Sequence, residues 1–401
     1  MRVFMLDLLS IVPYYTAHLC AGLAQVDGTE VTLASITYHH DPECFRRHGV
    51  RNAPGPLDIA SKIPVPATAR RVLKFAEWVV NMAALPLRFA IARPDVLHVQ
   101  FLPLCERRLP FERWLLRAAR ALGVPIVYTV HNVLPQETGD RLRAVYRRIY
   151  ALPDHFVCHD ELSAERLAAE FEVSGNRISI IPHGPFFEGD QRPPGEARTR
   201  LGFAPGRCLV LWQGIVRPYK GVSFLLKAWR RVCDSGAPAQ LAVVGTGDAA
   251  TEREIVREVR ELAIGTSVRL DLRFVSLREL EDYYEAADVL VYPYREITTS
   301  GALMTGIVRG KAVIASALPA FEQILEHENN ALLVPYGDVD ALAASLLRVI
   351  RDPDLRAALG RRLQRAQALA PRWREIAART SECYQAVLSR QARWRTEAAR
   401  T

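Results

Sequence analysis

The chain has 401 residues, 49% of them hydrophobic and 24% charged, with a mean hydropathy of zero, which describes a globular protein long enough for two cores. Its 52 Lys and Arg against 44 Asp and Glu leave a net charge of +8, with local excesses from Arg46 to Arg148, where eighteen basic residues meet seven acidic ones, and from Arg351 to Thr401, where twelve Arg meet five. Surface arginine in such a chain is usually a solvated face; if the excess has a partner, the lack of a zinc finger, RNP-like motif or basic–aromatic interleaving favours phospholipid or a polyprenyl phosphate over nucleic acid.

In chain order, short apolar strands alternate with helices. "RVFML" reads as a first buried strand rather than a signal peptide, since it has one positive charge and a short apolar run. A helix is expected around Tyr15 to Ala24 and a strand at "EVTLASI". The stretch Val72 to Ala92 carries Lys74, Glu77, Asn81, Pro86 and Arg88, too many polar breaks for a span of roughly 20 apolar residues. It is expected as a helix with one apolar face, packed on a sheet in preference to lying on a membrane surface. Strands follow at "DVLHVQF", "PIVYTV", "HFVCH" and "RISIIP", with helices at "RWLLRAARAL", "LRAVYRRIY" and "LSAERLAAEF" among them. "GPFFEGDQRPPGEARTRLGFAPGR", rich in Gly, Pro and charge, reads as an inter-domain linker. The alternation then restarts, with strands "CLVLWQG", "QLAVVG", "VRLDLRF", "VLVYP" and "AVIAS" separated by helical patterns.

The expected fold class is α/β: two tandem Rossmann-like, doubly wound parallel-sheet domains facing a cleft. Their boundaries are expected at 1–187 and 188–370, with 371–401 as a C-terminal helix crossing back to the first domain. The seven cysteines are scattered and include no C-x-x-C pair, so they read as reduced thiols of a cytoplasmic protein and not as a disulfide framework or zinc site.

Three loops could carry chemistry. "GIVRPYKG" follows a strand and precedes a helix, a position where backbone amides and the helix dipole favour an anion. Arg217 adds a planar fork and Lys220, one of few lysines in an arginine-biased chain, adds a point charge; together they suit a diphosphate. In "YPYREITTSGALMTGIVRG", Thr299 and Ser300 are good helix N-caps, leaving the amides of Gly301, Ala302 and Leu303 as a second anion cradle. Glu296 before them either grips sugar hydroxyls or pairs with a neighbouring Arg. In "YTVHNVLP", His131 follows a first-domain strand and projects toward the expected cleft, ahead of His98 and His183 as a candidate. Two motifs are set aside. "VVGTGDAA" matches a relaxed dinucleotide fingerprint but lacks the acidic residue about 20 positions on. Asp338 and Asp340 resemble a D-x-D metal pair but precede a helix that they more naturally cap.

The ordered series G-x-x-x-x-x-K-G (Gly214 to Gly221), "VVGTGD", "RFVSLRELEDYYEAADVLVYP", E-x-T-x-S-G, "GKAVIAS" and "EHENNALLVPYGDVDALA" resembles glycosyltransferase family 4, retaining GT-B enzymes that use nucleotide sugars. The likeness is specific from Cys208 to Ile350 and looser over the first domain. It implies that Gly214, Arg217 and Lys220 hold the donor diphosphate, helped by Thr299, Ser300 and the amides of Gly301, Ala302 and Leu303. It implies Phe274 and Val275 at the nucleotide base, His131 near the donor sugar and Glu296 on its hydroxyls, with no metal and no cofactor beyond the nucleotide-sugar substrate. The sequence departs from the family twice. The second Glu of the Glu, seven residues, Glu pattern falls near Thr305 or Gly306 and is missing, and the first loop is "LLSIVPYYT" instead of a glycine pair.

The expected activity is transfer of a hexose from a UDP- or GDP-sugar to a hydroxyl acceptor, with a lipid-linked oligosaccharide of polysaccharide assembly as a candidate acceptor. The expected place is the cytoplasm, with peripheral attachment to the membrane's cytoplasmic face in view. The alternatives are a nucleotide-sugar epimerase of the same fold, or a sugar-nucleotide-binding scaffold that has lost catalysis.

Overall fold

Strands buried on both faces set the architecture. "IVYTV" (Ile126–Val130) and "AVIAS" (Ala312–Ser316) are buried at every position, the mark of parallel strands with helices on both sides. The computed structural model describes the chain except residues 9–12, 36–42, 54, 60–62, 64–65, 107, 136–138, 187–193, 299, 367–370 and 399–401. It divides into two units, Met1–Gly184 with Pro371–Thr401, and Pro185–Ala370. The expected boundary after residue 187 falls outside the described residues.

The first unit runs β1 (Arg2–Asp7), α1 (Pro13–Leu23), β2 (Glu30–Ala34), α2 (Glu43–Arg47), α3 (Ala67–Ala92), β3 (Val96–Phe101), α4 (Pro103–Glu106), α5 (Phe111–Ala121), β4 (Ile126–Val130), α6 (Gly139–Tyr150), β5 (His155–Cys158), α7 (Glu161–Phe171) and β6 (Ile178–Ile180). Its six parallel strands are ordered β2-β1-β3-β4-β5-β6. The second unit contains α8 (Pro194–Leu201), β7 (Cys208–Gln213), α9 (Val222–Asp234), β8 (Ala239–Val244), α10 (Ala249–Glu261), β9 (Val268–Asp271), α11 (Leu277–Ala286), β10 (Val289–Tyr292), α12 (Gly301–Val308), β11 (Ala312–Ser316), α13 (Pro319–Glu322), β12 (Leu332–Val334), α14 (Val339–Arg351) and α15 (Pro353–Ala366). Its strands are also parallel, ordered β12-β11-β10-β7-β8-β9. From β7 the chain winds outward through β8 and β9, then returns to β10 on the other side. The switch point between β7 and β10 is where ligands of such sheets bind.

α16 (Trp373–Ala398) belongs to the first unit and packs on α1. Contact is close enough that a Cβ on Gly22 would lie 2.8 Å from the Ala377 Cβ. Trp373, Ile376, Ala377 and Tyr384 are buried there, while Leu388 is only half-buried and Val387 takes the inward position.

Three expectations need correction. The stretch read as a linker contains α8, which binds the second unit: Arg198 pairs with Asp288 at 2.5 Å and Arg200 forks onto Asp282 at 2.6 and 3.1 Å. The sheet has a sixth strand, β12, three residues long and too short for periodicity to reveal. The polar breaks in Val72–Ala92 do not keep it from being long and apolar enough, by length and composition, to cross a membrane, although Trp78, Met82, Leu85 and Phe89 pack into the core as expected. Glu77 and Asn81 are buried on the inward side.

Candidate active site

At the β7/β10 switch point two loops meet. β7 ends at Gln213, and the chain turns through Gly214 and a single 3₁₀ turn, Pro218–Lys220, into α9. Gly221 turns the backbone left-handed at φ 68°, where a Cβ would collide with the Pro293 carbonyl after β10; only glycine fits. The Arg295 amide donates to the Tyr219 carbonyl at 2.7 Å, so the loops are tied backbone to backbone. No side chain caps α9, which leaves first-turn amides available to an anion.

Lys220 lies inside this junction. Its Nζ sits 5.3 Å from the centre of the Tyr294 ring, and a Cβ on Gly214 would lie 2.8 Å from that Nζ. Among the described residues it has no carboxylate partner. Burial first, and then the nearby Arg217 charge, lower its pKa from 10.5 to about 8. Arg217 is exposed on the same turn.

Ser300 caps α12, its Oγ accepting from the Leu303 amide at 3.2 Å. The cradle is therefore smaller than expected: Leu303 is spent on the cap. The Gly301 and Ala302 amides have no acceptor among the described residues. Thr299 lies outside those residues. Glu296, half-exposed, pairs with Arg295 at 3.0 Å, the plainer of its two expected roles. Phe274 and Val275 follow β9 at the same edge of the sheet, Val275 buried and Phe274 partly exposed. Where the second Glu is missing, Thr305 is buried, donating to the Gly301 carbonyl at 2.7 Å and accepting from the Phe186 amide at 2.9 Å. A Cβ at Gly306 would strike Leu290 and the Tyr292 hydroxyl. Neither position can present a carboxylate to solvent, and between Ala302 and Ile307 only Met304 is partly exposed.

The two motifs set aside are structural. Gly245, at φ 138°, lets β8 pass against the Gly214 carbonyl. Asp248 caps α10 and Asp338 caps α14, while Asp340 pairs with Arg231. Among the described residues no group of three His, Cys, Asp or Glu side chains could hold a metal, and none of the seven cysteines is in a disulfide.

In the first unit, His131 follows β4 and belongs to a ring cluster. It stacks on Phe101 at 4.2 Å and meets Tyr15 edge-on at 4.9 Å; Tyr15 in turn touches His159, His183 and Trp373. His159 Nδ1 lies 3.0 Å from the Ile181 carbonyl, which can only accept, so the proton sits on Nδ1. His159 Nε2 lies 3.2 Å from His131 Nδ1. His131 Nε2 lies 3.0 Å from the Gln100 side-chain oxygen, to which only an Nε2–H could donate, while the Gln100 amide nitrogen faces the Met5 sulfur at 3.1 Å. Burial, reinforced by His159, His183 and His98, holds the His131 pKa well below 6.5. His131 is thus a neutral, oriented polar group suited to a hydroxyl, not a cation suited to phosphate. His98 is structural, buried between Tyr384 and Thr129. Sequence reasoning missed Tyr294, Met304, Gln100 and His159. Each sits at a strand end or on a short helix beside a chosen residue, and only strand order makes them neighbours.

Comparison with known proteins agrees with this geometry. Residues 207–352 match the family model for glycosyl transferases group 1, and residues 12–184 match that for glycosyltransferase family 4. The D-inositol 3-phosphate glycosyltransferase of Saccharomonospora viridis is 26% identical over 60% of this chain, and the match spans 59% of that relative's length. Among solved structures, Anabaena HepE with UDP and glucose superposes with a TM-score of 0.74 at 15% identity, covering 95% of this chain and 98% of that one. Sucrose-phosphate synthase from Thermosynechococcus elongatus gives 0.75 at 20% identity, covering 97% and 99%. These likenesses establish the GT-B fold. With its two units matched by the two halves of one enzyme family, the chain belongs to the family 4 glycosyltransferases.

Proposed function

We infer that the protein transfers a hexose from a UDP- or GDP-sugar to a hydroxyl acceptor, with retention at the anomeric carbon. The carrying observation is Lys220: a largely desolvated ammonium at the switch point, without a carboxylate partner among the described residues, flanked by Arg217 and by an uncapped helix start. Lys220, Arg217 and the Gly301 and Ala302 amides would neutralise the diphosphate as the bond from the anomeric carbon to its oxygen breaks. The acceptor oxygen forms the new bond and its proton passes to the departing diphosphate. Losing one such preorganised contact costs ~2.7–4 kcal/mol in the transition state. No metal is required, because fixed cations meet the charge. Phe274 and Val275 would flank the base, and Glu296, released from an exposed ion pair worth about 0–1 kcal/mol, would reach the sugar. Neutral His131 would meet a sugar hydroxyl. The solved complex of HepE with UDP-glucose and the inositol phosphate in the S. viridis relative's name support a nucleotide-sugar donor and a polyol acceptor. The basic first unit supports an acceptor held at an anionic membrane, such as a lipid-linked oligosaccharide, on its cytoplasmic face.

Acceptor-dependent release of UDP or GDP tests the reading. A second reading, a binding scaffold without turnover, is favoured by the closed Thr305 and Gly306 positions; it predicts nucleotide binding with no release under any acceptor. A thermal-shift panel of UDP-, GDP- and ADP-sugars names the base, since a ligand at 100 times its Kd stabilises the native state by ~2.7 kcal/mol.

A further inference from the structure

α3 is apolar on two sides: Trp78, Met82, Leu85 and Phe89 enter the first unit's core, and a second apolar face points outward. Two of its polar residues are turned into the unit: Asn81 accepts from the Leu57 amide at 3.0 Å and donates to the Leu57 carbonyl at 2.7 Å, and Glu77 accepts from the Ile59 amide. A Cβ on Gly55 would overlap Asn81, so the segment around 55–59 is strapped tightly to the helix. Its outward face carries Val72, Phe75, Val79, Val80, Leu87 and Ile91, which are 43 to 74% exposed. An ordinary amphipathic surface helix carries polar residues on that face. Among the described residues, every strongly exposed large apolar side chain except Val308 and Tyr336 lies between Ile59 and Leu122.

The patch continues onto α5. Phe75 stacks on Trp78 at 6.0 Å, Trp78 meets Phe111 edge-on at 6.3 Å, and Phe111 meets Trp114 at 5.5 Å. Glu112 on that helix is also spent inside, accepting from the Leu104 and Cys105 amides at 3.0 and 2.8 Å. Glu77 and Glu112 are thereby withdrawn from the surface. Beside the patch, between α5 and α6, lies a cavity of about 390 Å³ lined by Arg108, Arg113, Arg141 and Arg148. The Arg113 Nε is buried with no hydrogen-bond partner.

We propose that the α3–α5 face is an interfacial anchor that seats on an anionic phospholipid leaflet, with the arginine cavity taking lipid phosphates. An apolar band beside an arginine-lined cavity is complementary to acyl chains below negative headgroups. A second copy of the chain is a poorer occupant, because pairing the face with itself would bring two arginine clusters together. Nor does α3 cross the bilayer: its Trp78, Met82, Leu85 and Phe89 are built into the first unit's core, and extraction would leave that core open. The proposal rests on the membrane-side reading above but not on the transfer chemistry, since vesicle binding requires no sugar nucleotide.

The test is flotation of the full chain with phosphatidylcholine vesicles containing or lacking 30 mol% phosphatidylglycerol, with UDP affinity measured in parallel. Wild type is expected to float with the anionic vesicles at low salt and far less with the neutral ones. Phe75→Glu with Leu87→Glu should weaken flotation at least tenfold, and each of Arg108→Gln and Arg148→Gln about fivefold, all with unchanged circular dichroism and unchanged UDP affinity. Retention of wild type in the unbound fraction, or equal flotation of wild type and the apolar-face variant, overturns the anchor. A wild-type dimer that Phe75→Glu dissociates, with no vesicle binding, reassigns the face to a second copy. Flotation of wild type with no binding of UDP, GDP or ADP would remove the transferase reading and leave the anchor standing.

Discussion

Lys220→Ala tests the centre of the reading. In the free protein, burial and Arg217 hold the Lys220 pKa at about 8, against 10.5 when unperturbed. Because the folded value is the lower one, the unfolded chain binds more protons between about pH 8 and 10.5. This group therefore makes the ligand-free protein more stable as pH rises through that window, by at most about 1.4 kcal/mol per pH unit. A bound diphosphate reverses the preference by restoring the proton. Nucleotide binding must then take up a proton above pH 8, and Kd for UDP should rise up to about tenfold per pH unit from there. At pH 7, removing the ammonium deletes a hydrogen bond to a charged group worth about 1.5–3 kcal/mol, a loss of roughly 10- to 150-fold in affinity. Isothermal titration of UDP (or GDP, if the thermal panel selects it) at pH 7, 8, 9 and 10 reads both effects. Wild type should weaken above pH 8, while Lys220→Ala should be weak at pH 7 and lack the wild type's extra pH dependence. A wild-type affinity independent of pH over this range, or equal binding by the two proteins, would refute the assignment of Lys220 to the diphosphate.

Gly214→Ala would set a methyl 2.8 Å from the Lys220 Nζ; it should displace the ammonium and weaken UDP at least tenfold while shifting Tm by only a few degrees. Gly221→Ala meets the Pro293 carbonyl at a left-handed backbone position and should cost ~2–4 kcal/mol in urea unfolding. His131→Asn should lower kcat/KM without removing any pH break near 6.5, because His131 is already neutral there; a break near 6.5 that vanishes in the variant contradicts that protonation state. Arg309, buried between Glu281 at 2.9 Å and Glu285, should cost ~3–5 kcal/mol when changed to Met, since Glu285 is left buried and unpaired.

Local periodicity was sufficient for five of the second unit's six strands, and the loops after β7 and β10 were visible as candidates, whereas β12 and α8 were not. Arg217, Lys220 and Ser300 could be chosen because strand-to-helix turns are local events with local chemistry. What sequence could not supply was adjacency. That β7 and β10 are neighbours follows from the crossover of the chain, so the contact of Lys220 with Tyr294 and the tie of Arg295 to Tyr219 appear only in three dimensions. The same holds for His131, whose tautomer depends on His159 and Gln100 from two other strands. α3 shows the limit most sharply. Its composition suggested one apolar face packed inward, and Trp78, Met82, Leu85 and Phe89 do pack there, but local sequence did not show that a second apolar face stays uncovered. The hydrogen bonds of Glu77 and Asn81 to segment 55–59 fix the helix so that Phe75, Val79 and Leu87 point outward. Local sequence determined the elements and their turns; the packing of distant elements decided which side chains meet and which remain exposed.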